Sequence, residues 1–431
     1  MILRLPNSRS RALVVLAALL VALWLSSFGM RSAIARYGAE GESLKRLELA
    51  VRLEPSNPDY WYRLGRYQQY NLDNPNSTLA ENAYRKAIAL NPLATNAWLD
   101  LATAYELEGK SIEARKAYLE AKKSYPTSGD VAWRYGNFLL RQGQLDEAYM
   151  EMRRAIAADP HLAASAFSRA YRADPDIDRI MEKLLPPQQA AYVEMINEAV
   201  SEQQLAVSQT LWSRLLFLHP RLTMRDFERL VAGLLSSGDD GEARRAWDQG
   251  VATMNLPALL EPQGSLVWDP SFESGIAGYS FAWQFKPIVQ GVSIGLDREE
   301  KHSGAQSLRL SFDGEHNPDL EAACTLTVVR PATTYGFSGW MKTKNITTEF
   351  GVGFRLHLEG ASGGSIVDTK QLYGTNAFTR IDQTLTTGPD TRRVEICVIR
   401  EASDKPGLRI SGTAWVDDVN LVPEPAERSK P

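Results

Sequence analysis

The chain has 431 residues, which is enough for two or three domains. Hydrophobic residues make up 44% of it and charged residues 23%, values that are ordinary for globular protein and argue against disorder. The net charge of −4 leaves no basic excess for phosphate contacts, so no nucleic-acid partner is expected. The two cysteines and five scattered histidines are too few and too dispersed for a disulfide-built scaffold or a thiolate metal site.

The N-terminal segment 1–36 departs from this plain composition. Residues 12–30 carry no charge and lie between a basic N-terminal flank and Arg31. As a helix this run is roughly 28 Å long, close to the hydrocarbon thickness of a bilayer. We expect a membrane-spanning signal-anchor; the alternative is a signal peptide, because Ala33-Ile34-Ala35 has the form of a cleavage site.

The basic flank consists of Arg4, Arg9 and Arg11, which favours retention of the N-terminus in the cytoplasm. Whether the segment is an anchor or a cleaved signal, the rest of the chain is then exported. In a bacterium, which the signal-like start suggests, this pattern predicts a single-pass protein of the inner membrane whose C-terminal region is periplasmic.

Four prolines, Pro55, Pro92, Pro126 and Pro160, each end a helical pattern, at spacings of 37, 34 and 34 residues. Between them aromatic and small residues recur in register, with glycine at the turn inside the second and third units. The recurring residues are Trp61, Leu64, Gly65, Ala80, Tyr84 and Ala87, then Trp98, Leu101, Ala102, Tyr105, Gly109, Ala114, Tyr118 and Ala121, then Tyr135, Gly136, Leu139, Gly143, Ala148, Met152 and Ala155. The pattern resembles the tetratricopeptide repeat, a helix pair of about 34 residues. The resemblance implies an α-solenoid over residues 37–187 whose groove binds a protein partner.

In repeats of this kind the first helix of each pair lines the groove. Trp133 follows the position that tryptophan fills in the first two units, so it is expected in the groove unless it packs against its neighbours. A groove with both aromatic and polar side chains suits an extended peptide or a helix of a partner. The predicted groove residues are Tyr62, Arg66, Tyr70, Asn96, Leu99, Thr103, Trp133, Asn137 and Arg141.

The repeat pattern weakens after Pro160. Residues 188–257 are interpreted as divergent helix pairs, with Asp239 and Asp240 on a solvated turn between two helices. Beyond a boundary near residues 256–265, alternating apolar residues predict an antiparallel β-sandwich over residues 263–423, followed by a flexible tail at 424–431. The expected fold is therefore α + β and multidomain, with a transmembrane helix, an α-solenoid and a C-terminal sandwich.

Four motifs mark the sandwich: Ser271-Phe272-Glu273, His302-Ser303-Gly304, Pro331 followed by Tyr335, and Trp415-x-Asp417-Asp418. They resemble the jelly roll of family 4/9-type carbohydrate-binding modules. The resemblance implies a structural calcium ion where the first and last strands meet, held by Glu273, Asp417 and Asp418. The alternative is that the two aspartates cap the end of a strand.

Strand alternation predicts where the sandwich binds. Trp340 and Lys342 share one phase of their strand, and Arg355 and His357 share the outward phase of the next one. If the two strands are neighbours, these four residues form one exposed patch in which the indole stacks on a sugar ring and the cations donate hydrogen bonds. The alternative is that a loop, or the solenoid, covers Trp340.

The two cysteines lie on separate predicted strands. Cys324 shares its phase with Leu326 and Val328 and is expected in the core, whereas Cys397 has the opposite phase to Ile396 and Val398. With these phases the pair does not bond, although an exported location permits a disulfide.

No catalytic constellation is evident: the sequence has no H-E-x-x-H zinc motif and no Walker loop. We therefore expect a protein that is not an enzyme and has no cofactor other than the calcium ion. The leading interpretation is a membrane-anchored scaffold that recruits a protein partner in the envelope, with the sandwich as a second binding surface. The alternative is a glycan-binding protein in the export or assembly of an envelope polysaccharide.

Overall fold

A computed structural model describes residues 8–41, 43–71, 75–254, 256, 264–286, 289–361, 363–403, 405 and 408–424. Arg4, most of the predicted boundary at 256–265 and the tail beyond Glu424 lie outside these residues. The helices of the described part are α1 Ser8–Ala39, α2 Leu44–Leu53, α3 Pro58–Tyr70, α4 Ser77–Leu90, α5 Thr95–Leu107, α6 Ser111–Ser124, α7 Gly129–Arg141, α8 Leu145–Ala158, α9 Leu162–Ala173, α10 Ile177–Lys183, α11 Gln189–Ser201, α12 Leu205–Leu216, α13 Met224–Ser236 and α14 Asp240–Ala252. The strands are β1 Gln284–Phe285, β2 Val292–Asp297, β3 Ser307–Asp313, β4 Leu320–Val328, β5 Thr334–Ile346, β6 Gly353–Gly360, β7 Gly363–Asp368, β8 Gly374–Thr386, β9 Thr391–Arg400 and β10 Ser411–Pro423.

Helix α1 combines two different environments in one unbroken helix. Its segment Arg11–Ala39 is long and apolar enough to cross a membrane, with a mean hydropathy of 2.4 over its most apolar 18 residues. The last two turns are instead packed against α2, where Ala35 and Ala39 are buried together with Leu47 and Ala50. The C-terminal part of α1 therefore acts as the first helix of a pair with α2, and no linker separates it from the solenoid.

The helix pairs α3–α4, α5–α6 and α7–α8 confirm the predicted repeat register. The indole nitrogens of Trp61 and Trp98 donate to the carbonyl oxygens of Pro55 and Pro92, each six residues earlier, at 2.8 and 2.9 Å. The small residues sit where helices approach closely. A Cβ on Gly136 would lie 2.9 Å from Cγ of Met152, which is closer than packed carbon atoms allow.

The chain divides into two compact units, Met1–Glu194 and Met195–Pro431. The second unit contains both the last helix pair, α13–α14, and the sandwich. Within it, the ring of Trp247 packs edge-on against Trp268 and Phe281, with centroids 5.0 and 5.6 Å apart. The divergent helices and the sandwich thus share one aromatic cluster.

The expectation that Asp240 lies on a solvated turn is wrong. Asp240 is only 5% exposed, and its carboxylate accepts a hydrogen bond from Nε of Arg393 on β9 at 2.6 Å. Asp239 beside it is exposed, as expected. A partner 153 residues away buries Asp240, and local turn chemistry does not reveal such a contact.

In the described part of the chain, the sandwich consists of two five-stranded antiparallel sheets. One sheet has the strand order β1-β4-β9-β6-β7 and the other β2-β3-β10-β5-β8. Alternate residues of the inner strands face the shared core, where the rings of Phe337 and Phe354 meet with centroids 5.1 Å apart. We call the first of these sheets the β9 sheet and the second the β10 sheet.

Cys324 and Cys397 form a disulfide, so the expectation that they do not bond is wrong. The two residues lie directly opposite each other on β4 and β9. The pairing register shifts between Glu321 and Ala323, and such a bulge moves the following residues to the other face of the sheet. Cys324 therefore lies on the same side as Cys397, in a small buried cluster separate from the main core.

Candidate functional site

The first helices of the solenoid pairs line two cavities that share one side chain, Tyr70. The first, of about 820 Å³, is lined mainly by the end of α1 and by one face of α3. The second, of about 710 Å³, is lined mainly by α5, α7 and α9, with Tyr70 of α3 and Tyr118 of α6. Its lining residues are Tyr70, Thr103, Glu106, Leu107, Tyr118, Trp133, Arg134, Asn137, Arg141 and Arg169. We call the two cavities together the groove.

A buried carboxylate organises the middle of the groove. Asp100 on α5 accepts hydrogen bonds from the hydroxyl of Tyr62 on α3 and from Nη1 of Arg134 on α7, both at 3.0 Å. Burial, reinforced by the Asp100 charge, raises the pKa of Tyr62, which keeps this hydroxyl protonated as a donor. One carboxylate thereby ties together the first helices of three successive pairs.

A second set of contacts presents a cation on an aromatic ring. The guanidinium of Arg169 on α9 lies 5.2 Å from the ring centroid of Trp133, and its Nη1 donates to Oδ1 of Asn137 at 2.7 Å. The side-chain amide of Asn137 in turn donates to the carbonyl of Trp133 at 2.8 Å. Arg169 is exposed and contacts Trp133 and Asn137, and it lines the second cavity, so its charge faces the groove.

Next to this set, Arg141 forms an ion pair with Glu106 at 2.6 Å, and Glu106 also accepts a hydrogen bond from Tyr118 at 2.6 Å. Arg66 lies 3.7 Å from Asp100 and over the ring of Tyr70. The groove thus offers arginine, tyrosine and tryptophan side chains that are held in place by hydrogen bonds, ion pairs and ring contacts with neighbouring residues.

Seven of the nine predicted groove residues line the two cavities: Tyr62, Arg66, Tyr70, Thr103, Trp133, Asn137 and Arg141. Asn96 is exposed but does not line either one. The prediction that Leu99 lies in the groove is wrong, because this side chain is only 1% exposed and belongs to the solenoid core. Asp100, Arg134 and Arg169 were not predicted; for Arg169, the helix after Pro160 was the available signal.

The predicted patch on the sandwich is not one surface. Trp340 and Lys342 lie on β5 of the β10 sheet, whereas Arg355 and His357 lie on β6 of the β9 sheet. Because β5 and β6 face each other across the core, their outward side chains point in opposite directions. Arg355 is paired with Asp368 and Glu401, and His357 lies 2.8 Å from Glu321.

Trp340 is partly covered by a loop, which is one of the alternatives considered. The ring of His302 stacks on it with centroids 3.8 Å apart, and the ring of Phe378 lies 5.6 Å from that of His302. Lys342 is near, with its amine over the ring of Trp415 and paired with Glu300 at 2.5 Å. On the outer face of the β10 sheet, Trp340 and Lys342 are therefore partly exposed, whereas Trp415 is covered and only 6% exposed.

The three predicted calcium ligands meet at the loop 302–306, where they accept hydrogen bonds. Asp417 accepts from the backbone amides of His302 and Ser303 at 2.8 and 3.1 Å, and Glu273 accepts from the amide of Ala305 at 2.7 Å. Asp418 accepts from the hydroxyls of Ser271 and Ser303. These oxygens accept hydrogen bonds from groups of the protein itself; calcium binding stays a prediction, to be checked by comparing melting curves with and without chelator.

The sequence profile described as "Tetratricopeptide repeat" matches residues 71–129 and 113–163. No curated protein sequence matches this chain. Among solved structures, the tetratricopeptide-repeat protein YrrB is 14% identical and covers 49% of this chain and 93% of its own length, with a TM-score of 0.24. The structure of pilF from Pseudomonas aeruginosa is 19% identical and covers 45% of this chain and 89% of its own length, with a TM-score of 0.25.

The xylan-binding module CBM22-1 of Xyn10C from Paenibacillus barcinonensis is 14% identical and covers 38% of this chain and 99% of its own length, with a TM-score of 0.27. The likeness of the sandwich is to carbohydrate-binding modules in general rather than to families 4 and 9 in particular. This chain thus carries tetratricopeptide repeats between residues 71 and 163, and a C-terminal β-sandwich that resembles carbohydrate-binding modules.

Proposed function

We propose that this protein is a membrane-anchored, non-enzymatic scaffold that binds a segment of a partner protein in the groove. The observation that carries the proposal is the set Trp133, Asn137 and Arg169, in which a cation lies exposed on an aromatic ring and is fixed by an amide. The contacts among these three side chains already hold them in place, so binding of a partner does not have to order them. An acidic or aromatic side chain of an extended peptide is the natural complement of this set.

Charge reversal within the groove tests this proposal. The full-length protein is purified from native membranes as wild type, as Arg169→Glu and as the control Lys116→Glu, which changes an exposed residue of α6 outside the groove. We expect a partner that co-purifies with the wild type and the control but is lost with Arg169→Glu. Equal recovery with all three proteins would contradict binding in the groove.

The proposed location is the bacterial inner membrane, with everything after α1 in the periplasm. Two features support it: the uncharged run 12–30 of α1, which arginines precede, and the Cys324–Cys397 disulfide, which is typical of an oxidising compartment. Ala35 is buried in the solenoid, so cleavage after it would remove a packed turn of α1. A periplasm-dependent reporter fused after Pro431 should be active, with the chain in the membrane fraction; inactivity of the reporter would contradict the orientation.

The second candidate function is glycan binding by the outer face of the β10 sheet, which the partly exposed neighbours Trp340 and Lys342 favour. An indole presents an apolar face to a sugar ring, and the amine donates to hydroxyls or carboxylates. Affinity electrophoresis of the full chain in detergent, wild type against Trp340→Ala, tests it. Retardation by a polysaccharide that disappears in the variant supports glycan binding, and unchanged mobility of both proteins removes it.

A further inference from the structure

The contacts of Arg31 fix the position of the solenoid along the axis of α1. Arg31 is the first charged residue after the apolar run, and its Nε donates to the carbonyl of Leu53 at the end of α2, at 2.7 Å. The hydroxyl of Ser32 binds the carboxylate of Glu54 in the turn that follows. The turn between α2 and α3 therefore lies at the level where the apolar segment ends.

Successive helices are antiparallel, so later turns return to the same end. The hydroxyls of Thr95, at the start of α5, and Ser124, at the end of α6, lie 2.8 Å apart. A Cβ on Gly129, at the start of α7, would lie 3.0 Å from Cβ of Ala158, at the end of α8. The turns 54–57, 91–94 and 125–128 thus form one edge of the solenoid, which we call the inter-repeat edge.

The turns 108–110 and 142–144, inside the repeats, form the opposite edge. A helix of 13 residues, such as α5 or α7, separates the two edges by roughly 20 Å. If α1 spans the bilayer, the inter-repeat edge lies at the lipid surface and the opposite edge stands about one helix length above it.

The inter-repeat edge carries exposed apolar side chains where turn residues are usually polar. Leu93 is 72% exposed, Tyr125 is 55% exposed and Leu90 is 42% exposed. Charges of both signs lie near them in the chain: Lys123 and Arg52 are basic, and Glu54 and Asp130 are acidic. Contact of this edge with a surface would therefore rest on apolar burial rather than on net charge.

We propose that the inter-repeat edge lies against the lipid bilayer, with Leu93 and Tyr125 inserted at the headgroup level. This inference rests on the proposed membrane anchoring by α1. Leucine gains free energy by leaving water, and tyrosine suits the interface because its ring is apolar and its hydroxyl is polar. The groove is then held within a helix length of the membrane, so its partner segment belongs to a protein at or in the same membrane.

A quenching experiment on the full chain in vesicles tests the proposal. Single cysteines are introduced as Leu93→Cys and, on the opposite edge, Ile112→Cys, and are labelled with a fluorescent maleimide. The two positions match in exposure, at 72% and 70%, and the native cysteines are bonded to each other and do not react. With lipids that carry a nitroxide on the headgroup, we expect several-fold stronger quenching at position 93 than at position 112.

Tyr125→Cys provides a second position on the same edge and should be quenched like Leu93→Cys. Equal quenching at positions 93, 125 and 112, with the chain recovered in the vesicles, overturns the docked edge but leaves the anchor intact. Recovery of the labelled chain outside the vesicle fraction overturns the anchor and the docked edge together.

Discussion

The carboxylate of Asp240 and the guanidinium of Arg393 join the last helix pair to the sandwich. The ion pair is closed by a hydrogen bond of 2.6 Å, and a second nitrogen of Arg393 donates to the carbonyl of Leu235 at the end of α13. Arg244 of α14 adds a hydrogen bond of 2.8 Å to the carbonyl of Leu266. Helices α13 and α14 therefore stabilise the sandwich and are part of its folding unit.

We predict that Asp240→Asn destabilises the second unit by about 2–4 kcal/mol, because it leaves a largely buried arginine without its charge partner. The adjacent Asp239→Asn serves as the control, since Asp239 is exposed and should change stability by less than about 0.5 kcal/mol. Thermal or urea unfolding of the full chain measures both. Similar small effects for the two variants would show that the ion pair does not hold the helices to the sandwich.

Two glycine-to-alanine variants test the helix packing, because they are expected to change the free energy of unfolding in opposite directions. Gly136→Ala places a methyl group 2.9 Å from Cγ of Met152, so we expect a loss of roughly 1–3 kcal/mol in the free energy of unfolding. Gly241→Ala in α14 meets nothing within 4 Å, and alanine favours the helix by about 0.5–1 kcal/mol, so this variant should be stabilised. Two losses of equal size would argue against the close approach of α7 and α8.

The disulfide is predicted to contribute to stability by restricting the unfolded chain. Cys324 and Cys397 are 73 residues apart in sequence, and closing a loop of that length is worth about 2–4 kcal/mol. The double variant Cys324→Ala/Cys397→Ala should lower the melting temperature accordingly. As a check on the bond itself, denatured wild-type protein without reductant should contain no reactive thiol; two reactive thiols per chain would disprove the disulfide.

Asp417 should make stability depend on pH. Burial raises its pKa to about 6, whereas an unfolded chain has an aspartate pKa of about 3.9. Between these values the folded protein holds a proton that the unfolded chain releases, so the stability contribution of Asp417 falls as the pH rises from about 4 to 6. The full change is up to about 3 kcal/mol.

Asp417→Asn removes this titration while keeping an oxygen that accepts hydrogen bonds from the loop amides. In chelator-containing buffer, the stability of the variant relative to the wild type should therefore rise between pH 4 and 6. A constant difference across this range would show that Asp417 titrates normally in the folded protein.

Local sequence signals predicted the solenoid well. The prolines at 34-residue spacing, the tryptophans that bond back to them and glycines such as Gly136 act within one helix pair, so their roles are readable without knowing the rest of the fold. For the same reason most of the groove was predicted. Arg169 was missed because it comes from α9, where the repeat pattern has already weakened.

Predictions that depended on distant pairing failed. Trp340 and Arg355 were placed on one surface because their strands follow each other in sequence, but in a sandwich consecutive strands often belong to different sheets. The phase of Cys324 was misjudged because a bulge before it reverses the alternation. The burial of Asp240 depends on Arg393, and nothing near Asp240 in the sequence indicates it.

In-cell photo-crosslinking tests the central claim, binding of a partner segment in the groove, most directly. A photoreactive amino acid replaces Tyr70, which lines both cavities, and in a control chain it replaces Lys116 on the outer helix α6. The account predicts a discrete crosslinked membrane-associated protein from position 70 that is absent from position 116 and is lost when Arg169→Glu is added. The same crosslinked products from both positions, or a product from position 70 that is unaffected by Arg169→Glu, would contradict it.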